Sequence, residues 1–184
     1  MVGAILTQNT AWRNVEKAIE ALKANGLLDA RRIDALDAGT LALAIRPAGY
    51  YNVKAKRLKS FVRWLLERWD GDIERMRRAK PERVREELLE VKGIGPETAD
   101  SILLYALGMP TFVVDQYTYR VATRHALAPE GAGYDELKEL FESGLPRDAK
   151  LFNEFHALVV AVGKDFCRAT AHCEKCPLRK FLPA

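Results

Sequence analysis

Three groups of residues in this 184-residue chain have types and spacings suited to chemistry. The first is Cys167, Cys173 and Cys176, the only cysteines, spaced C-x5-C-x2-C near the end of the chain. An odd, clustered set of thiols suits metal ligation better than disulfides. The second lies in LLEVKGIGPETADSILLYALG, residues 88–108. There Gly93 and Gly95 permit a tight turn, and Pro96 and Glu97 suit the first turn of a following helix. Backbone N–H groups presented at such a helix start form a phosphate-binding arrangement. The third is Asp115 in FVVDQYTYRVATR, residues 112–124. Taken alone, an aspartate immediately before a helical run suits an N-cap.

The elements that must position these groups read as helices. Val15, Ala18, Ile19 and Leu22 share one helical face, as do Leu58, Phe61, Val62, Leu65 and Leu66. After the hairpin turn, Ala99, Ile102, Leu103, Ala106 and Leu107 point inward, and Ile94 anchors the turn in the core. Breaks between helices carry Gly or Pro. Thr111 to Val114 is β-rich but only four residues long, so it reads as a connector. The predicted fold is all-α. A boundary near Gly108-Met109-Pro110 divides it into helical lobes of residues 1–109 and 110–184, with a cleft between them.

Composition narrows the function classes. Apolar residues make up 48% of the chain, enough for a core, which excludes a disordered chain. No apolar run approaches the ~20 residues of a membrane helix, and the opening segment lacks a basic leader, so a cytoplasmic protein is expected. Lys and Arg outnumber Asp and Glu by 29 to 25, a net charge of +4 that suits a polyanionic partner. Met1 opens directly into an apolar stretch with no capping residue, which suggests residues missing upstream.

Several motifs in one order add a resemblance. AILTQNT near the start, GYYNVKAKRL at Gly49 to Leu58, the GIG hairpin, the V-D pair ending in Asp115, and HALVVAVGKDFC before the cysteines resemble the endonuclease III superfamily of helix-hairpin-helix DNA glycosylases. The resemblance implies a six-helix barrel lobe carrying the hairpin, a second helical lobe, and double-stranded DNA with a damaged base as partner, bound by a monomer near the nucleoid. It implies that Asp115 is the catalytic carboxylate. Departure of a base from deoxyribose develops positive charge at the sugar carbon, which a carboxylate stabilises while orienting water. Bifunctional members carry a lysine in the second hairpin helix that attacks the sugar carbon. This chain has Glu97 there, and a carboxylate cannot form an imine, so the expected activity is base hydrolysis without strand cleavage.

The same resemblance assigns DNA contacts to Gln8, as a wedge filling the space of a flipped nucleotide, and to Lys92, Gly93, Ile94, Gly95 and Glu97 of the hairpin. Trp12, placed four residues after Gln8 on one helical face, is either a stacking platform for the extruded base or a core residue. ILTQNTxW with GIGxExAD and no lysine looks most like the 3-methyladenine glycosylases, and an indole face suits an electron-poor alkylated purine. Tyr50, Tyr51, Tyr117 and Tyr119 are further lining candidates, and Lys54, Lys56, Arg57, Lys59 and Arg120 further phosphate contacts. The tail resembles one that holds a [4Fe-4S] cluster with four cysteines, but Leu182 stands near the fourth position. A cluster with another fourth ligand, a zinc site completed by His172, and a vestigial site all remain open. Two rival functions stand beside the main one: a bifunctional endonuclease III acting on oxidised pyrimidines, and a non-catalytic DNA-binding module.

Overall fold

The structure, a computed structural model, describes residues 1–183. They form two compact units, Met1–Leu107 and the remainder from Gly108. Among the described residues every regular element is helical, apart from an isolated bridge between Cys167 and Ala171. No helix among them is long and apolar enough to cross a membrane.

The first unit contains α1 (Val2–Leu6), α2 (Trp12–Ala24), α3 (Ala30–Ala35), α4 (Ala38–Ala44), α5 (Tyr51–Trp69), α6 (Ile73–Arg77), α7 (Pro81–Leu89) and α8 (Pro96–Ser101). Local chemistry sets the boundaries. Asp29, Asp37 and Asp72 cap α3, α4 and α6 through their carboxylates, and Pro81 and Pro96 open α7 and α8, where a missing N–H costs nothing. The long helix α5 packs against α1, α3 and α4 and buries Leu58, Phe61, Val62 and Leu65 along the inward face expected from their spacing, while Leu66, expected beside them, is half-buried and Trp69 is buried in addition. Leu6, Leu22, Leu41 and Ile102 join them in the core, each fully buried and worth roughly 1.5–3 kcal/mol of transfer free energy. Past Ser101 the chain widens into a π-turn over Ile102–Ala106 that keeps Leu103 and Leu104 inward.

Two lysines expected to meet phosphate do something else. Lys54 is buried, and its Nζ donates to the carbonyls of Leu6 at 2.8 Å and Ala48 at 2.7 Å. Burial, with Arg57 adding repulsion, lowers its pKa below the ordinary lysine value. Lys59 donates to the carbonyls of Asp34 and Leu36, closing the C-terminal end of α3. Long aliphatic stems let both ammonium groups reach backbone that helix periodicity alone does not place nearby.

The second unit contains α9 (Gln116–Arg124), α10 (Tyr134–Gly144) and α11 (Ala149–Asp165). The connector Thr111–Val114 forms neither helix nor strand and is wholly buried. Phe112 centres the core, stacking on Phe141 at 4.5 Å and meeting Phe152 and Phe155 edge-on at 5.7 Å. Glu142 accepts from the Phe112 N–H at 2.7 Å, which fixes the connector against α10. Gly163 lets α11 close on α9: a Cβ there would lie 2.5–2.8 Å from the Tyr117 side chain. Arg120, another expected phosphate contact, donates to the carbonyls of Cys167 and Gly163 and lies over the Tyr117 ring.

Candidate functional site

Asp115 stands where the buried connector meets α9. Its two carboxylate oxygens face different neighbours. Oδ1 accepts from the Thr118 N–H at 2.8 Å and the Thr118 hydroxyl at 3.1 Å, so the N-cap read from the sequence is present. Oδ2 lies 3.6 Å from Nε2 of His156 on α11. Burial pushes the His156 imidazole below its ordinary pKa, while the Asp115 charge opposes that push without cancelling it, so the ring is neutral at pH 7. Phe112 meets the same ring edge-on at 6.4 Å. The site is therefore one anionic oxygen held against a neutral, apolar-backed imidazole. Sequence reasoning gave His156 no role. A single histidine on the buried face of FHALVVAVG was the available signal, and its partner lies 41 positions away.

In the first unit the hairpin runs from α7 through Glu90–Gly95 into α8. Ile94 is buried, as expected, and its N–H donates to the Val91 carbonyl at 2.9 Å. That donor is thus engaged within the turn. The two glycines also differ. Gly93 has φ +93 and lies against the Arg57 side chain, so it needs glycine for its backbone. Gly95 is extended, at φ −100, and a Cβ there would meet nothing within 4 Å. Lys92, Gly95 and Glu97 are exposed. Beneath them the fully buried Asp100 receives Arg85 through two contacts, at 2.9 and 3.2 Å, which lock α8 onto α7.

Gln8 joins the hairpin from below. Its Nε2 donates to the Gly93 carbonyl at 3.1 Å and Thr98 Oγ1 at 2.9 Å, while its Oε1 accepts from Arg57. Both ends of the amide are held, so in this conformation Gln8 fastens the N-terminal segment to the turn. The expected shared helical face of Gln8 and Trp12 is not formed, because α1 ends at Leu6, Asn9 adopts φ +52 and α2 begins at Trp12. Trp12 itself is 52% exposed, which excludes the core reading; its Nε1 donates to Glu16 at 2.9 Å and its ring rests over Gly3. Among the tyrosines, Tyr50 is exposed and Tyr117 is engaged by Gly163 and Arg120.

The profile of the HhH-GPD superfamily base excision DNA repair proteins matches residues 2–147. The chain belongs to that superfamily. This HhH-GPD glycosylase is 49% identical over 183 residues to a candidate DNA repair glycosylase of Methanocaldococcus jannaschii, covering 98% of this chain and 83% of that one. Among solved structures it is similar to Helicobacter pylori 3-methyladenine DNA glycosylase bound to 1,N6-ethenoadenine, with TM-score 0.79, 34% identity, and 89% and 82% of the two chains covered. Its fold also matches a trapped endonuclease III–DNA covalent intermediate, with TM-score 0.83 and 21% identity over 98% and 80% of the chains.

In the HhH-GPD glycosylase Cys167, Cys173 and Cys176 border one recess, together with Arg124, His125 and Leu182. Arg124 Nη1 donates to Cys167 Sγ at 3.4 Å and also holds the carbonyl of Arg168 at 2.6 Å, while its Nη2 donates to that of Ala169 at 2.8 Å. The three thiols border the recess without a fourth, and Leu182 lines it beside them. Among the described residues no three donors are gathered tightly enough for a single metal ion. His172 borders a separate recess that includes Cys173 but neither Cys167 nor Cys176, and no group of three donors containing it is gathered among the described residues.

Proposed function

We propose that this glycosylase hydrolyses the N-glycosidic bond of an alkylated purine in double-stranded DNA and performs no lyase step. The observation that carries this reading is the divided carboxylate of Asp115. Oδ1 is fixed by α9, so Oδ2 is a preorganised anion and need not reorient when charge develops. As the base departs with the bonding electron pair, Oδ2 stabilises the cationic sugar. Water then adds to the sugar carbon, leaving its proton to the carboxylate. A neutral His156 suits this task, because an imidazolium 3.6 Å away would offset the anion that the sugar requires. The exposed hairpin backbone at Gly95 and the Lys92 ammonium bind phosphate, and Trp12 offers its indole face to the lesion. The loss of lyase chemistry follows from Glu97, since no amine stands where a Schiff base would form.

Single-turnover incubation with a duplex carrying one alkylated purine tests the reading. Base release should leave the strand intact until alkali cleaves the abasic site, and borohydride should trap no adduct. Direct nicking, or a borohydride-trapped adduct, would overturn it. An oxidised-pyrimidine duplex run in parallel should remain uncut after alkali.

A further inference from the structure

We propose that Lys54 is a positioning residue for lesion recognition, its ammonium fixing the spacing of two loops, residues 7–11 and 49–50, that together meet the damaged duplex. The side chain is 1% exposed and ends on two carbonyls, those of Leu6 at 2.8 Å and Ala48 at 2.7 Å. Each carbonyl closes a helical segment, Leu6 that of α1 and Ala48 that of the short 3₁₀ turn Arg46–Ala48. Carbonyls at such ends lack a partner further along their own helix, and the dipole there favours a cation. One ammonium thus caps two helix ends, and each loop leaves from one of them. Thr10 ties the loops a second time, donating its hydroxyl to the same Ala48 carbonyl at 2.6 Å.

What the loops display points to a partner outside the protein. Asn9 stands at φ +52 and Tyr50 at φ +46, left-handed conformations that are strained for residues other than glycine and persist only where the surroundings hold them. Both side chains face solvent, and Tyr50 is 71% exposed. An amide and an aromatic ring held in this way suit the polar edge and the flat face of a nucleotide. Gln8, in the first loop, is bonded to Gly93 and Thr98 of the hairpin region and to Arg57, so the loops and the phosphate-binding turn form one frame. Lys54 lies beneath that frame, out of reach of phosphate. A buried ammonium costs stability that an apolar side chain of similar length would not, and what it supplies here is a fixed separation of the two loops. The inference rests on the reading of the chain as a glycosylase acting on duplex DNA, but not on which base it removes.

The test is binding to two duplexes that differ at one position, one intact and one carrying a tetrahydrofuran abasic-site analogue. Neither duplex offers a damaged base to release, so lesion class and reaction type do not enter. Wild type, Lys54→Met, Tyr50→Ala and the double variant are compared, with circular dichroism and a urea midpoint for each. The wild type should prefer the abasic-site analogue. Lys54→Met should lose about tenfold of that preference while binding the intact duplex as before with an unchanged salt slope. The losses from Lys54→Met and Tyr50→Ala should be less than additive, because the lysine acts through the loop; a merely structural lysine would lower the urea midpoint and leave them additive. Should Lys54→Met fail to fold, Thr10→Val removes the second tie and should lower the preference in the same direction, while Thr10→Ser keeps the hydroxyl and the preference. The inference is overturned if the wild type does not distinguish the duplexes, if Lys54→Met keeps the preference or adds its loss in full to that of Tyr50→Ala, or if Thr10→Val and Thr10→Ser behave alike. Equal weakening of both duplexes with a shallower salt slope would make Lys54 a phosphate contact and overturn it as well. A wild type that prefers the abasic-site analogue yet releases no alkylated purine would overturn the proposed substrate and leave this role of Lys54 in place.

Discussion

Replacing Asp115 by asparagine separates the two jobs of its carboxylate. The amide oxygen of the introduced side chain retains the position of Oδ1 and both contacts from Thr118, and asparagine is about as good an N-cap as aspartate. Folding stability should therefore change by less than about 0.5 kcal/mol, against the ~1 kcal/mol expected for Asp115→Ala. At the other oxygen the substitution removes the anion 3.6 Å from His156. Loss of one preorganised group facing developing charge costs about 10²–10³ in rate, roughly 2.7–4 kcal/mol. Lesion binding should persist or tighten, because a negative charge leaves a surface that meets phosphate. The assay is single-turnover base release by Asp115→Asn, with urea unfolding of the same preparation. A rate within a few-fold of wild type would refute the catalytic assignment. A stability loss of several kcal/mol would show that Oδ2 also holds the fold, and the rate would then say nothing about chemistry.

The hairpin glycines should part company. Gly93→Ala forces a side chain to positive φ against Arg57 and should cost at least ~1–3 kcal/mol, whereas Gly95→Ala should leave the urea midpoint nearly unchanged while weakening duplex binding; equal midpoints would contradict this. Asp100→Ala removes the buried partner of Arg85 and should cost about 3 kcal/mol, the low end for such a pair because the Arg85 side chain keeps 23% exposure. An unaltered urea midpoint would show that the pair does not lock α7 to α8. His156 adds a pH dependence. Its folded pKa lies below the unfolded value of 6.5, so the unfolded chain binds the extra proton first; the stability is complete above that value and falls as pH drops through it toward the folded pKa. His156→Leu should flatten this part of the profile of urea midpoint against pH, and an identical slope in the variant would exclude the buried imidazole as its source.

The helical frame was legible because burial follows the 3.6-residue period in segments such as Leu58–Trp69, and because capping aspartates and N1 prolines act locally. Asp115 was legible as a cap for the same reason, and Ile94 as an anchor. What escaped depends on where long side chains end. Lys54, Lys59 and Arg120 sit on helices in patterns that look like solvated faces, yet their heads reach carbonyls 23–48 positions away. His156 and Asp115 come together only because Gly163 lets α11 lie close to α9. Trp12 was misplaced relative to Gln8 because the short break at Thr7–Ala11 carries no proline or glycine to announce it.

The inward-turned cations bear on how strongly this protein will feel salt. Binding to duplex DNA releases condensed counterions in proportion to the number of phosphates that protein charges neutralise, and that number sets the slope of affinity against ionic strength. An ammonium already clasped by Leu6 and Ala48, like a guanidinium closed over Gly163 and Cys167, displaces no ion from the double helix. The formal excess of basic residues thus overstates the polyelectrolyte contribution, and the shallow salt dependence that follows leaves a larger share of the affinity to contacts that added salt does not screen.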